Sequence, residues 1–239
     1  MYLQPYFSTL QNNNSNIIPT DLSGLRLWLD GADSSSMTND GGGVISQWRD
    51  KSGLSNHSNA TLTARPLLVA NVKAGNSILR FDGVLNFMSL TSNIVLTGEY
   101  TRFAVVMNTL TAGNKFYFGH TANQKEGYTA GTPIKYALRV VTSVDTINNY
   151  PIAQNAFGLI SSARNSSNIV EWLSNNSSYA QLFSGVAQSG SNTISQIGKD
   201  ETINYWTGDM AELLVYNRRL SASEVESVKA YLNNKWQIY

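Results

Sequence analysis

The chain has no cysteine in its 239 residues, which excludes disulfides and thiolate chemistry. With only His57 and His120, far apart in sequence, it also lacks the ligand spacing of a structural zinc site. Charge is scarce: Asp, Glu, Lys and Arg make up 14% of the chain and balance to a net +1, where about a quarter is usual. Without a basic cluster to neutralise a row of phosphates, nucleic acid is not an expected partner. No apolar run approaches the roughly 18 residues of a helical membrane span. Met1 to Leu10 lack the basic-then-apolar order of a secretory signal, so a role outside the cell is expected to require another exit, such as lysis.

Catalytic signatures are missing as well. There is no Gly-x-Ser-x-Gly elbow, and Gly41-Gly42-Gly43 lacks the following lysine and helix that would make it a phosphate cradle. Glycoside hydrolysis needs two carboxyl groups about 5 to 9 Å apart. Asp200 and Glu201 are adjacent, so a strand would send them to opposite faces, and Glu212 has no acidic neighbour two residues away. The chain is therefore expected not to be an enzyme, and a hydrolase ranks last among its readings.

Apolar residues, at 42%, suffice for a sizeable two-layer core. From Leu25 onward, short apolar or alternating runs are separated by Gly, Asn, Ser and Asp clusters, a pattern of strands joined by turns. Strands are expected near 25–30, 44–49, 78–82, 86–91, 101–108, 115–119, 135–142, 156–163, 168–174, 179–184, 193–198 and 208–217. The nearly all-apolar run Arg102 to Met107 belongs mid-sheet, and the mixed run Ile169 to Leu173 nearer an edge. One helix is well marked. Ser221 and Glu224 form a capping box, Leu220 and Val225 a hydrophobic staple, and Val225, Val228 and Leu232 share a face, with Glu224, Glu226 and Lys229 expected toward water. Residues 1–21 read as an arm: an apolar tip (Tyr2, Leu3, Tyr6, Phe7, Leu10) on a polar neck (Gln11 to Asn16), which must find a surface to be ordered.

Four motifs share an order: Leu27-Trp28-Leu29-Asp30, Trp48-Arg49-Asp50-Lys51-Ser52-Gly53, Arg80-Phe81-Asp82-Gly83, and Gly208-Asp209-Met210-Ala211-Glu212-Leu213-Leu214-Val215-Tyr216 followed by the short helix. Together they resemble the concanavalin A-like, laminin-G-type jelly-roll domains of lectins, secreted bacterial surface proteins and phage particles. The resemblance covers about residues 22 to 239. It implies an all-β sandwich of two antiparallel sheets with one short C-terminal helix, residues 22–239 forming the domain.

Trp28 and Trp48 are expected in the core. Asp50 to Gly53 reads as a turn in which the carboxylate accepts backbone N–H groups and Gly53 takes a positive φ, with His57 a hydrogen-bonded wall residue. Related sandwiches hold calcium at a loop rim, which makes Asp30, Asp33 and Asp50 the oxygen ligands to consider, although no loop with Asp-x-Asp-x-Asp spacing is present. Amides and phenols in the loops supply recognition chemistry, and the expected ligand rim is Tyr128, Tyr150, Trp172 and Trp206. The resemblance implies a non-enzymatic virion decoration or adhesion protein, on capsid or tail, that binds host-surface carbohydrate. Its arm would engage other virion proteins and promote a homo-oligomer. The alternative is a purely structural decoration or fibre subunit that binds no glycan.

Overall fold

The computed structural model describes residues 17–109, 113–120, 124–129, 135–140, 143–147, 152–182 and 185–239. Among these the strands are β1 (Leu25–Asp30), β2 (Met37–Asn39), β3 (Ile45–Trp48), β4 (Ser58–Asn59), β5 (Leu67–Lys73), β6 (Asn76–Asp82), β7 (Met88–Leu96), β8 (Tyr100–Asn108) and β9 (Lys115–Gly119). They continue with β10 (Lys125–Thr129), β11 (Lys135–Val140), β12 (Ser143–Ile147), β13 (Phe157–Arg164), β14 (Val170–Ser174), β15 (Ala180–Gln181), β16 (Asn192–Ile197) and β17 (Thr207–Tyr216). Helix α1 (Ala222–Trp236) follows.

Two antiparallel sheets result. One runs β15-β14-β13-β8-β17-β6-β5, with β1 also paired to β17; the other runs β12-β11-β10-β9-β16-β7-β4-β3-β2. Every expected strand has a counterpart. β8, nearly all apolar, lies mid-sheet between β13 and β17, and β14 lies one strand from an edge. Between the sheets, Leu27, Leu79, Phe81 and Met210 of one layer meet Trp48, Met88, Phe118 and Ile197 of the other. A second patch, Tyr136, Leu138 and Val140 against Ile160 and Val170, continues that interior.

Five strands have no counterpart in the sequence reading. β2 and β4 are short and polar, too brief for a periodic pattern. β5 is an edge strand joined to β6 by a two-residue turn in which Ala74 (φ 50°) and Gly75 (φ 78°) both adopt positive φ, the backbone of a tight hairpin. β12 is also an edge strand. β10 (Lys-Glu-Gly-Tyr-Thr) lacks apolar alternation because one of its inward residues is a glutamate.

That glutamate is buried between the two sheets. Glu126 Oε2 lies 2.8 Å from Arg102 Nη2, both side chains 2% exposed. Tyr117 and Tyr136 donate to Glu126 Oε1 (2.8 and 2.7 Å), and Ser162 donates to Oε2 (2.9 Å). Arg102 Nε donates to Ser162 Oγ (3.0 Å) and Nη1 to Asn192 Oδ1 (2.9 Å). Burial, reinforced by the Glu126 charge, pushes the Tyr136 hydroxyl well above its ordinary pKa, keeping it a donor. Arg102 and Ser162 belong to one sheet and Glu126, Tyr117, Tyr136 and Asn192 to the other, so the network joins the layers.

The helix covers the outer face of the β8–β17 sheet. Ser221 Oγ accepts from Glu224 N (3.3 Å) and Glu224 Oε2 accepts from Ser221 N (2.8 Å), completing the box. Val225, Val228, Leu232 and Trp236 pack on Trp28, Phe103, Leu214 and Tyr216. Lys229 departs from expectation. It is buried, its ammonium donating to the Ser177 carbonyl (3.2 Å) and to Glu226 (2.8 Å), because its long stem covers apolar surface while its head finds oxygen at the helix edge. Residues 17–21 lie against the body: Pro19 is buried, and the Tyr216 hydroxyl donates to its carbonyl (3.1 Å). Residues 1–16 of the arm lie outside the described residues.

Glu126→Ala leaves the Arg102 guanidinium buried and unpaired, a loss of about 3–5 kcal/mol from a total of about 5–15. Urea unfolding should show a large fall in midpoint. Glu126→Gln, which retains hydrogen-bonding capacity, should lose less; equal, small losses for both would contradict the role given to the pair.

Candidate binding surface

The motif residues hold loops in place. Asp50 Oδ1 accepts from Trp28 N and Ser52 N (2.9 Å each), Oδ2 accepts from Asn56 N (3.0 Å), and Asp50 N donates to His57 Nδ1 (3.1 Å), with Gly53 at φ 87°. This is the expected turn, and His57 is a wall residue within it. Trp48 and Trp28 are buried, Trp48 between the sheets and Trp28 beneath the helix.

The calcium candidates do not suit a metal. Lys51 Nζ lies 2.8 Å from Asp30 Oδ2 and 2.7 Å from Asp33 Oδ2, and Lys235 Nζ lies 2.5 Å from Asp30 Oδ1. The Lys51 hydrogen bond holds the Asp33 carboxyl below its usual range, with Ser35 assisting. Asp50 is engaged by backbone N–H groups. An ammonium therefore stands where a cation would, and among the described residues no cluster of three acidic or histidine ligands forms.

Asp30 and Glu212 face each other across the β1–β17 ladder, a carboxylate pair that sequence spacing alone does not reveal. Both are buried. Glu212 accepts from Trp28 Nε1 (2.7 Å), Tyr231 Oη (2.8 Å) and Trp236 Nε1 (2.7 Å), and pairs with Lys235 (2.9 Å). Burial and the Asp30 charge raise its pKa, against the pull of Lys235 and Trp236. The pair fastens the helix to the sheet.

Of the expected rim, the structure describes Tyr128, Trp172 and Trp206. Tyr128 and Trp206 are buried, tilted against each other with centroids 5.1 Å apart, and Tyr117 meets Trp206 edge-on at 5.5 Å. Trp172 is half-buried and stacks on Tyr136 at 5.7 Å, at the margin of the second core patch. Tyr150 lies outside the described residues. Just before β17, Trp206 is buried while its neighbour Tyr205, bridged to Lys199, is half-buried.

Tyr205 belongs to the surface that does form. Its ring lies 6.1 Å from that of Phe87 at 61°, and Lys199 Nζ sits 4.2 Å from the Phe87 centroid and 5.1 Å from that of Tyr205. Both rings are half-buried. Three loops meet here. In the first, Asp82 Oδ1 accepts from Val84, Leu85 and Asn86 N (2.9 Å each). Partial burial opposes its ionisation, but the backbone donors outweigh that and hold its carboxyl below the usual range. The second is tied to the first by Asn86 Nδ2, which reaches the Arg65 carbonyl (3.0 Å), and by Phe87 N, which donates to the Ala64 carbonyl (2.9 Å).

The third is organised by buried Asp200, which accepts from Lys125 Nζ (2.7 Å), Thr202 Oγ1 (2.6 Å) and Asn204 Nδ2 (2.9 Å). Gly83 (φ 76°) allows the first loop to press on the start of β17, since a Cβ there would lie 1.8 Å from Thr207 Oγ1. The tips present apolar groups to water: Leu62 is 81% and Ile203 84% exposed, with Val84 and Leu85 beside them in the first loop. The result is an aromatic pair with a cation over it, set among hydrogen-bonded loops with apolar tips. Nothing in the sequence marks Phe87, which falls inside an expected strand.

No family model matches the chain, and no curated protein does. Solved structures share its fold. A Trypanosoma rangeli sialidase in complex with 2,3-difluoro-KDN matches with a TM-score of 0.58 at 14% identity over 89% of this chain and 33% of its own. The binding domain of paraclostridial mosquitocidal protein 1 matches at 0.56 and 12% over 90% and 54%. The botulinum neurotoxin serotype D binding domain matches at 0.55 and 13% over 86% and 50%. The chain thus spans about a third to a half of these structures. At such identity the likeness establishes the concanavalin A-like sandwich and assigns no family.

Trp206→Ala should open a core cavity and cost about 3–5 kcal/mol, whereas Tyr205→Ala should stay within about 1 kcal/mol. Thermal denaturation of the two variants checks this, and comparable losses would mean that Tyr205 is a core residue.

Proposed function

We propose that the chain is a non-enzymatic carbohydrate-binding module whose contact surface is the loop end built around Tyr205, Phe87 and Lys199. The observation that carries this reading is the half-buried aromatic–cation cluster on loops fixed by Asp82 and Asp200. A flat ring offers its face to sugar C–H groups, and nearby amides and an ammonium serve hydroxyls. Two of the similar structures are described as binding domains, which supports recognition as a use of this fold. Support for the non-enzymatic part comes from the Asp30–Glu212 pair, which is closed beneath the helix and held by lysine and tryptophan. The finer setting is a phage virion displaying the domain toward host-surface glycans, with the arm contacting other virion proteins and favouring a homo-oligomer. That setting rests on the sequence motifs, which resemble domains found in such particles.

The apolar tips at Leu62, Val84, Leu85 and Ile203 favour one second reading. In it, the same end seats on another particle protein and the domain is structural.

A glycan array probed with the purified protein, with calcium and with a chelator, tests the proposal. Saturable, competable binding insensitive to chelation is expected, and Tyr205→Ala should weaken it about fivefold or more, the loss of roughly 1 kcal/mol of ring contact. A blank array from folded protein would transfer the assignment to the structural reading. Binding untouched by Tyr205→Ala and Phe87→Ala would move the site elsewhere.

A further inference from the structure

At the other end of β17, ten residues and about 30 Å from Thr207, an open pocket of about 380 Å³ is lined by Arg26, Asn56, Asn93 and Asn217, with Leu54 and Val95 at its sides. Its volume falls within the range of about 300–1,000 Å³ usual for small-molecule sites. It shares no residue with the Tyr205 surface.

Two breaks in strand register aim side chains into this pocket. Leu25 pairs with Tyr216 and Leu27 with Val215, so Arg26 is the extra residue of a bulge. Ile94 pairs with Ile194 but Ser89 with Gln196, so the stretch of β7 carrying Asn93 is also displaced from regular pairing. Bulges forgo ladder hydrogen bonds and re-aim side chains, and they recur beside functional sites. The Asp50 turn supplies a third wall: Asn56 Nδ2 donates to the Arg26 carbonyl (2.8 Å). The neighbouring donors and acceptors orient the Asn217 amide: with its nitrogen toward the Gly24 carbonyl (2.9 Å), its oxygen accepts from Arg26 Nη2 (2.6 Å) and Nε (3.0 Å).

In that orientation the exposed Arg26 side chain keeps Nη1 without an acceptor among the described residues. The Asn93 amide and the Asn56 Oδ1 are likewise without protein partners there. No carboxylate lines the pocket, so the Arg26 charge is uncompensated, and Leu54 and Val95 are both exposed.

We propose that this pocket binds a carboxylate-bearing sugar residue. The guanidinium and amide N–H groups would hold the carboxylate, the amide oxygens would take ring hydroxyls, and the Leu54 and Val95 side chains would lie along the C–H face. A neutral sugar would leave Arg26 unmatched, and a simple carboxylate would leave the amides and apolar walls unused.

The test is a ¹H–¹⁵N NMR titration of the full chain with methyl β-glucuronide, methyl β-glucoside and sodium acetate. The glucuronide should give saturable shifts at the side-chain amides of Asn56, Asn93 and Asn217 and at Arg26 Nε–H. The glucoside and acetate should bind at least about tenfold more weakly. Arg26→Gln should weaken glucuronide binding about tenfold or more, the scale of a charged hydrogen bond. Asn93→Ala should weaken it without altering the melting temperature, which guards against Arg26→Gln disturbing the bulge. No saturable shift at these residues, equal affinity for glucuronide and glucoside, or unchanged affinity in both variants would overturn the proposal.

Discussion

The Arg102–Glu126 pair links the two sheets through their shared interior, and much of the sandwich is arranged to keep that pair satisfied. Taking two charges out of water costs several kcal/mol per ion unless further hydrogen bonds complete their valence. Tyr117, Tyr136, Ser162 and Asn192 do so, which requires β9, β10, β11, β13 and β16 to hold one mutual register. A one-residue slip of β10 would turn Glu126 to the surface and leave Arg102 unpaired. Hydrophobic packing between the layers surrounds the ionic network, and this register is the one in which its charges are all satisfied.

The same economy of charge governs the surface. Of the few acidic side chains, Asp30, Asp200, Asp209 and Glu212 are buried with lysine or arginine partners. Asp50 and Asp82 are given over to backbone N–H groups in turns. Carboxylates thus build the scaffold, while aromatic rings, amides and unpaired cations remain at the two ends. Lys199 over its rings and Arg26 in its bulge both lack a carboxylate counterpart among the described residues, and both lie on segments that depart from regular pairing.

The architecture was legible from alternation, turn residues and the capping box, because these are local and the sandwich obeys them: β8 lies mid-sheet, β14 near an edge, and Ser221 caps the helix. Legibility failed where a residue's partner lies far away in sequence. β10 looks like a loop until Arg102 is placed opposite Glu126. Lys229 looks like a surface residue until the Ser177 carbonyl is brought to the helix edge. Of the expected rim, Tyr128 and Trp206 fill the interior, and it is Tyr205, next to Trp206, that reaches toward the surface. Composition cannot distinguish two adjacent aromatics when the register of the strand is set by distant pairing, and the bulge at Arg26 carries no local signature at all.

A crystal structure of the protein with the tightest-binding oligosaccharide is the most direct measurement of where recognition occurs. A sugar ring is expected over Tyr205 with Phe87 and Lys199 in contact and the Asp82 and Asp200 loops unmoved, because those loops are already held by their hydrogen bonds. Sugar density against Trp172, or in a cleft opened by separating the sheets at Tyr128 and Trp206, would contradict it.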